Sequence, residues 1–191
     1  MLEFHPDSHD AVIFDCDGTL VDTMPLHHCA WQKSFEQFGA PFQFTWELFT
    51  RRAGMTLEQT VEELNREFGC ELPVADVVAA QRAEYARGCV DVAPIPHVAQ
   101  FARAVAANHP VAVASGSSRA TVEDALSRVA LLELFKTIVT PADVQRGKPA
   151  PDMFLLAAAR LGVPPERCLV IEDGELGLQA ARLAKMDAFK V

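Results

Sequence analysis

The sequence predicts an α/β protein, a parallel sheet with helices on both faces and a helical segment inserted after the first strand. Short apolar runs of the kind buried on both faces occur at Ala11 to Phe14, Val111 to Ala114, Thr137 to Val139 and Leu169 to Ile171. Beyond Pro94-Ile95-Pro96, which reads as a linker, these runs alternate with helical periods, as a parallel sheet requires. Residues 22–90 read as helix throughout, so a helical insertion is the economical account of them.

The first strand stops abruptly at Asp15. Alternation along extended backbone sends Asp15 and Asp17 to one side, and Gly18 lets the chain turn after them. The carboxyl ends of strands in an open parallel sheet are where ligands bind. Two close carboxylates repel unless a cation or a proton sits between them, and a hard divalent ion such as Mg2+ suits oxygen ligands. A capped turn, with Asp17 a turn former and Asp15 a helix cap, is the plain alternative.

Met24 to Phe38 carries Leu26, Ala30, Trp31 and Phe35 at helical spacing and stops at Gly39-Ala40-Pro41. Phe42 to Phe49 is short and aromatic, and Arg51 to Thr56 reads as a loop. Thr56 and Gln59 can form a capping box for a helix with Val61, Leu64 and Phe68 on one face. Further helices are expected over Pro73 to Arg87, Val98 to Asn108, Arg119 to Val129, Asp152 to Leu161 and Leu176 to Ala184, with a last strand over Asp187 to Val191.

Composition narrows the function. The 191 residues allow one medium domain with a small insertion, and no apolar run approaches a membrane span. The acidic N-terminus has no signal-peptide pattern, so the cytoplasm is the expected compartment. Five scattered cysteines, Cys16, Cys29, Cys70, Cys89 and Cys168, form neither a disulfide framework nor a zinc pattern. A formal charge of −9 without a basic cluster disfavours nucleic acid as a partner. An anionic substrate must then be met by a metal, a lysine and helix N-termini.

Three later strands end in polar residues. Val111 to Ala114 runs into Ser115-Gly116-Ser117, which offers a hydroxyl and amides to a phosphate or is an ordinary N-cap. Lys148, one of five lysines, is hemmed by Gly147 and Pro149 before a helix, as a site residue or a solvated loop lysine. Leu169 to Ile171 ends in Glu172-Asp173-Gly174. Acids at a helix start are stabilised by the dipole, yet so many converging carboxylates would be costly without a divalent cation.

This constellation resembles the haloacid dehalogenase superfamily of phosphotransferases. Asp15-Cys16-Asp17-Gly18-Thr19 is similar to its first motif, Ser115 to its second, Lys148 to its third and Glu172-Asp173 to its fourth, in the family's order over residues 11–191. The resemblance implies a Rossmann-like parallel-sheet core of residues 1–21 and 91–191, with 22–90 as an inserted helical cap domain. It implies that Asp15 attacks phosphorus to form an aspartyl-phosphate. Asp17 would protonate the leaving alcohol and later deprotonate the hydrolytic water. Mg2+ would be held by Asp15, the backbone carbonyl of Asp17 and Asp173, with Glu172 acting through a water. Ser115, Gly116 and Ser117 would grip the phosphoryl oxygens, and Lys148 would neutralise charge.

Within the superfamily, Thr23 to Trp31 is similar to a stretch of beta-phosphoglucomutases and of fructose-1-phosphate and sugar-phosphate phosphatases. His27 stands where that group carries a histidine close to the acid-base aspartate, His28 reads as helix surface and Trp31 as core. The mutases hold a second phosphate with a cap arginine and lysine; Leu57 stands at the arginine's place, and the only lysine in 22–90 is Lys33. This favours a Mg2+-dependent phosphatase acting on a small sugar or polyol phosphate such as fructose 1-phosphate. Arg51 and Arg52 are possible substitutes, so the mutase stays open as the alternative. A receiver-type signalling domain phosphorylated on Asp is more remote, because receivers lack a helical insertion. His27, Arg51, Arg52 and Thr56 are the nominated cap contacts, with hinges at residues 21–23 and 90–94. The expected partner is a small phosphorylated metabolite, with no nucleic acid and no membrane, and the expected state a monomer or weak homodimer.

Overall fold

The computed structural model describes residues 7–52, 55–88 and 91–191; the first six residues, Ala53, Gly54, Cys89 and the Val90 end of the second hinge lie outside them. In chain order the elements are β1 (Ala11–Phe14), β2 (Val21–Asp22), α1 (Met24–Gln37), α2 (Trp46–Thr50), α3 (Leu57–Phe68), α4 (Val74–Arg87), β3 (Ala93–Pro94) and α5 (Pro96–Ala106). There follow β4 (Val111–Ala114), α6 (Arg119–Arg128), β5 (Thr137–Val139), α7 (Asp152–Leu161), β6 (Cys168–Glu172), α8 (Glu175–Leu183) and β7 (Asp187–Lys190).

Five strands form a sheet in the order β5-β4-β1-β6-β7, parallel at every pairing. The two-residue alternation of β1 explains why its run is wholly apolar: successive side chains enter opposite layers. Val12 and Phe14 join Val113 and Ile171 under α5 and α6, packed on Val98, Ala102 and Leu126. Ala11 and Ile13 join Ala112 and Val170 under α7 and α8, packed on Phe154, Ala157 and Ala181. The fold is thus a doubly covered Rossmann-like sheet with an inserted helical cap.

The cap helices have a core of their own, in which Trp31, Phe35, Phe44, Leu64 and Val77 are buried together. Ser34 Oγ donates to the Val77 carbonyl at 2.8 Å and ties α1 to α4. The capping box at Thr56 and Gln59 forms, and Gly69 ends α3 in the left-handed region at φ 62°. Such caps each contribute about 1 kcal/mol. Among the described residues no helix is long and apolar enough to cross a membrane.

Three local expectations change. Residues 94–96 are not a plain linker, because Ala93–Pro94 pairs antiparallel with Val21–Asp22. Both connections to the cap therefore run through one two-stranded ribbon, too short to show any period in sequence. The aromatic stretch before Thr50 contains α2, started by Thr45 accepting from the Leu48 amide at 3.2 Å. Finally β6 includes Glu172, which is the last residue of the strand rather than the first of the loop.

Phe14 is fully buried in the middle strand and meets Phe101 and Phe135 edge-on at 6.0 and 5.8 Å. Phe14→Ala is expected to lower unfolding stability by about 3–5 kcal/mol, the range for truncating a core aromatic. Urea denaturation of the two proteins measures it.

Candidate active site

Strand register delivers the first acid. The Asp15 amide donates to the Ile171 carbonyl at 2.9 Å, so β1 stays paired to β6 one residue past its end. The chain then turns on the Cys16 carbonyl, which accepts from the amides of Leu20 and Val21 at 3.0 Å each. Gly18, at φ 82°, makes that turn, and a Cβ there would lie 2.6 Å from Asp173 Oδ2. Only glycine lets the first loop lie so close to the fourth.

Asp15, Glu172 and Asp173 present carboxylate oxygens within 4.8 Å of one another. Lys148 Nζ donates to Asp15 at 2.7 Å and to Glu172 at 2.6 Å, and lies 5.1 Å from the Phe154 ring centroid. Thr19 Oγ1 donates to Asp173 at 3.0 Å, and the Gly174 amide to Glu172 at 3.1 Å. Burial, with the Glu172 charge adding to it, raises the Asp15 pKa despite the neighbouring ammonium. Burial also raises Glu172, and it takes Asp173 to about 6 with help from the Asp15 charge. Desolvation opposes the Lys148 charge, but Asp15 and Glu172 outweigh it and hold the ammonium above its ordinary range. One cation among these acids leaves unbalanced negative charge, which suits a hard divalent ion held by oxygen ligands.

Asp17 faces elsewhere. Its Oδ1 accepts from Thr23 Oγ1 at 2.6 Å and lies 3.2 Å from His27 Nε2; its Oδ2 accepts from Ser117 Oγ at 2.7 Å and Ser115 Oγ at 3.2 Å. Burial raises its pKa, but His27 and the hydroxyl donors overcome that and hold the carboxyl well below the usual range. Its side chain is not in the acidic trio, so a metal role for Asp17 would fall to its backbone.

Asp15, Asp17, Ser115, Gly116, Ser117 and Glu172 line one cavity from the sheet side. The cap closes it with His27 and Arg52 and with an apolar wall that includes Trp31, Phe49, Met55 and Leu57. Trp31 is both core, as expected, and wall. Arg52 is buried, donating to the Leu48 carbonyl at 2.8 Å and pairing with Glu67. Arg51 pairs with Glu67 at 3.5 Å and does not line the cavity, and the Thr56 hydroxyl is taken by the Gln59 amide at 3.2 Å. Thr56 still meets the core, since a Cβ on Gly147 would be 3.5 Å from its methyl. Thr19, Thr23 and Gln81 were not singled out in the sequence. Thr19 sat visibly in the first motif; Gln81 gave no signal.

Residues 9–185 match the family described as haloacid dehalogenase-like hydrolase. The chain belongs to that family. It is 35% identical to the fructose-1-phosphate phosphatase YqaB of Escherichia coli over 188 residues, covering 94% of this chain and 95% of the relative. It is 31% identical to the beta-phosphoglucomutase of Bacillus subtilis, covering 95% and 82%. Among solved structures, CbbY from Rhodobacter sphaeroides in complex with phosphate superposes with a TM-score of 0.81 at 29% identity, covering 94% of this chain and 84% of that one. As a haloacid dehalogenase-like hydrolase with phosphatases among its relatives, the protein is an enzyme of the phosphoric monoester hydrolase class.

Lys148→Met leaves Asp15 and Glu172 buried without their counter-ion. In metal-free buffer containing a chelator, its unfolding stability is expected to fall by about 3–5 kcal/mol, the cost of breaking a buried ion pair from one side. Guanidinium titration of wild type and variant gives the difference directly.

Proposed function

We propose that the protein is a Mg2+-dependent phosphatase that hydrolyses a small sugar or polyol phosphate, of the fructose 1-phosphate kind, through an aspartyl-phosphate. The observation that carries this reading is the buried Asp15 carboxylate held by Lys148 at 2.7 Å beside Glu172 and Asp173, at the floor of a cavity that also holds Asp17. An Asp15 oxygen forms a bond to phosphorus as the bond to the leaving alkoxide breaks, and Asp17 supplies the alkoxide's proton. Water then attacks the same phosphorus, gives its proton to Asp17 and frees Asp15 with inorganic phosphate. Lys148, Ser115, Ser117 and the Gly116 amide offset the phosphoryl charge. Mg2+ on Asp15, Asp173 and the Asp17 backbone would supply charge neutralisation and orient the phosphoryl group.

The donors on Asp17 fit both halves of this cycle. In the free enzyme four donors keep it ionised. When phosphoryl oxygens take the Ser115 and Ser117 hydroxyls, Asp17 loses two of them and takes up from solvent the proton that it gives the alkoxide; the proton it gains from water returns to solvent when the four donors re-form.

Hydrolysis is favoured over phosphoryl return to the sugar by the cap wall. Among the described residues lining the cavity, the only cap guanidinium is Arg52, already engaged with Leu48 and Glu67, and Leu57 is apolar. Among the described residues lining the cavity, a second phosphate therefore meets no cap cation other than Arg52, of which only Nε lacks a hydrogen-bond partner. The mutase reading keeps support from the beta-phosphoglucomutase relative.

A panel of phosphate esters should release inorganic phosphate only with Mg2+ present and not at all in Asp15→Asn; turnover by that variant would refute the nucleophile. Asp17→Asn is expected to lower kcat by roughly 10²–10⁴, the usual contribution of a general acid-base group. With beta-glucose 1-phosphate, glucose 6-phosphate appearing without matching free phosphate would decide for the mutase. Millimolar Mg2+ is expected to recover part of the stability that Lys148→Met loses, because it replaces the missing positive charge.

A further inference from the structure

Gln81 is a polar side chain with 1% exposure on α4, far from any surface role. A buried primary amide is costly unless hydrogen-bonded. Its nitrogen lies 3.3 Å from His27 Nδ1, and the other ring nitrogen, Nε2, lies 3.2 Å from Asp17 Oδ1. The Tyr85 ring, one turn along α4, lies tilted against the imidazole at 4.4 Å between centroids and 34° between planes. The ring is thus fixed in its plane and bounded at both nitrogens.

An amide nitrogen donates and has no lone pair with which to accept. Facing it, Nδ1 must be the acceptor, which leaves the ring proton on Nε2, directed at the Asp17 carboxylate. The opposite tautomer would set N–H against N–H at Gln81 and lone pair against carboxylate at Asp17. Both contacts would be repulsive.

We infer that Gln81 is a positioning residue that locks His27 as the Nε2–H tautomer and so supplies Asp17 Oδ1 with a fixed donor. The functional half of this rests on the acid-base role given to Asp17 above. Gln81 does not line the cavity. It acts from a cap helix, through a residue of α1, on a carboxylate in the loop after β1.

The test reads the tautomer and the kinetics separately. In ¹⁵N-labelled protein at neutral pH, long-range proton-nitrogen correlation is expected to show His27 with a protonated Nε2 and a bare Nδ1. A bare Nε2, or protons on both nitrogens, would overturn the inference whatever the enzyme's activity. Gln81→Met keeps the volume and removes the donor; it is expected to mix the tautomers and lower kcat on the order of tenfold, the effect of one lost hydrogen bond, with KM little changed. Gln81→Lys keeps a donor and should retain the Nε2–H pattern and most of kcat. A kcat loss in Gln81→Met with the tautomer intact would mean packing alone, and mixed tautomers with unchanged kcat would remove the positioning role. Should either variant fail to fold, the wild-type spectrum still decides the tautomer. Failure of the Asp17 reading is distinguishable, because it would show as activity surviving in Asp17→Asn while the wild-type spectrum stood.

Discussion

The ammonium of Lys148 is the interaction on which the site depends. It is 1% exposed and bonds two carboxylates, Asp15 from the end of β1 and Glu172 from the end of β6, while its own segment follows β5. Three separate stretches of chain are therefore joined at one nitrogen. Burying a lysine is costly, and the two acids with the Phe154 ring offset the loss of water around it. The same arithmetic leaves a deficit. Asp15, Glu172 and Asp173 surround one buried ammonium, and their raised pKa values express that imbalance. The net negative charge left over suits a hard divalent cation held by oxygen ligands.

The two acids of the fourth motif keep their places because side chains are missing opposite them. Gly18 leaves room for the Asp173 carboxyl, and a Cβ on Gly177 of α8 would overlap the Glu172 carboxyl group. Both glycines thus work by close approach. Either acid, moved aside by a methyl group, would lose its distance to Asp15, and with it the common oxygen cage.

Much of this was legible because the chemistry lies at strand ends. Each apolar run stops at a polar residue, so Asp15, Ser115 and Glu172 announce themselves by breaking a pattern, and parallel topology brings such breaks to one edge. The β2–β3 ribbon and the five-residue α2 were not legible, since two to five residues carry no periodicity. Arg52 is legible only in part: an arginine in a cap loop reads as an anion ligand, and it does line the cavity, but its pairing with Glu67, fifteen positions on, leaves no trace in sequence. Gln81 was invisible because its partner is a histidine 54 positions away, a relation with no local trace.

Asp17 is where the cap and the sheet are made to agree. Two of its donors, Thr23 and His27, belong to the start of the cap, and the other two, Ser115 and Ser117, follow β4 in the core. Thr23 directly follows the ribbon strand β2, so any swing of the cap about that ribbon displaces one donor pair relative to the other. The carboxylate then keeps one pair and loses its alignment with the second. On the proposed function, substrate would act on the opposite side, drawing the serine hydroxyls toward its phosphoryl oxygens. On that same reading, the orientation and the charge of Asp17 would in this way be set jointly by cap closure and by substrate, neither alone placing it for proton transfer.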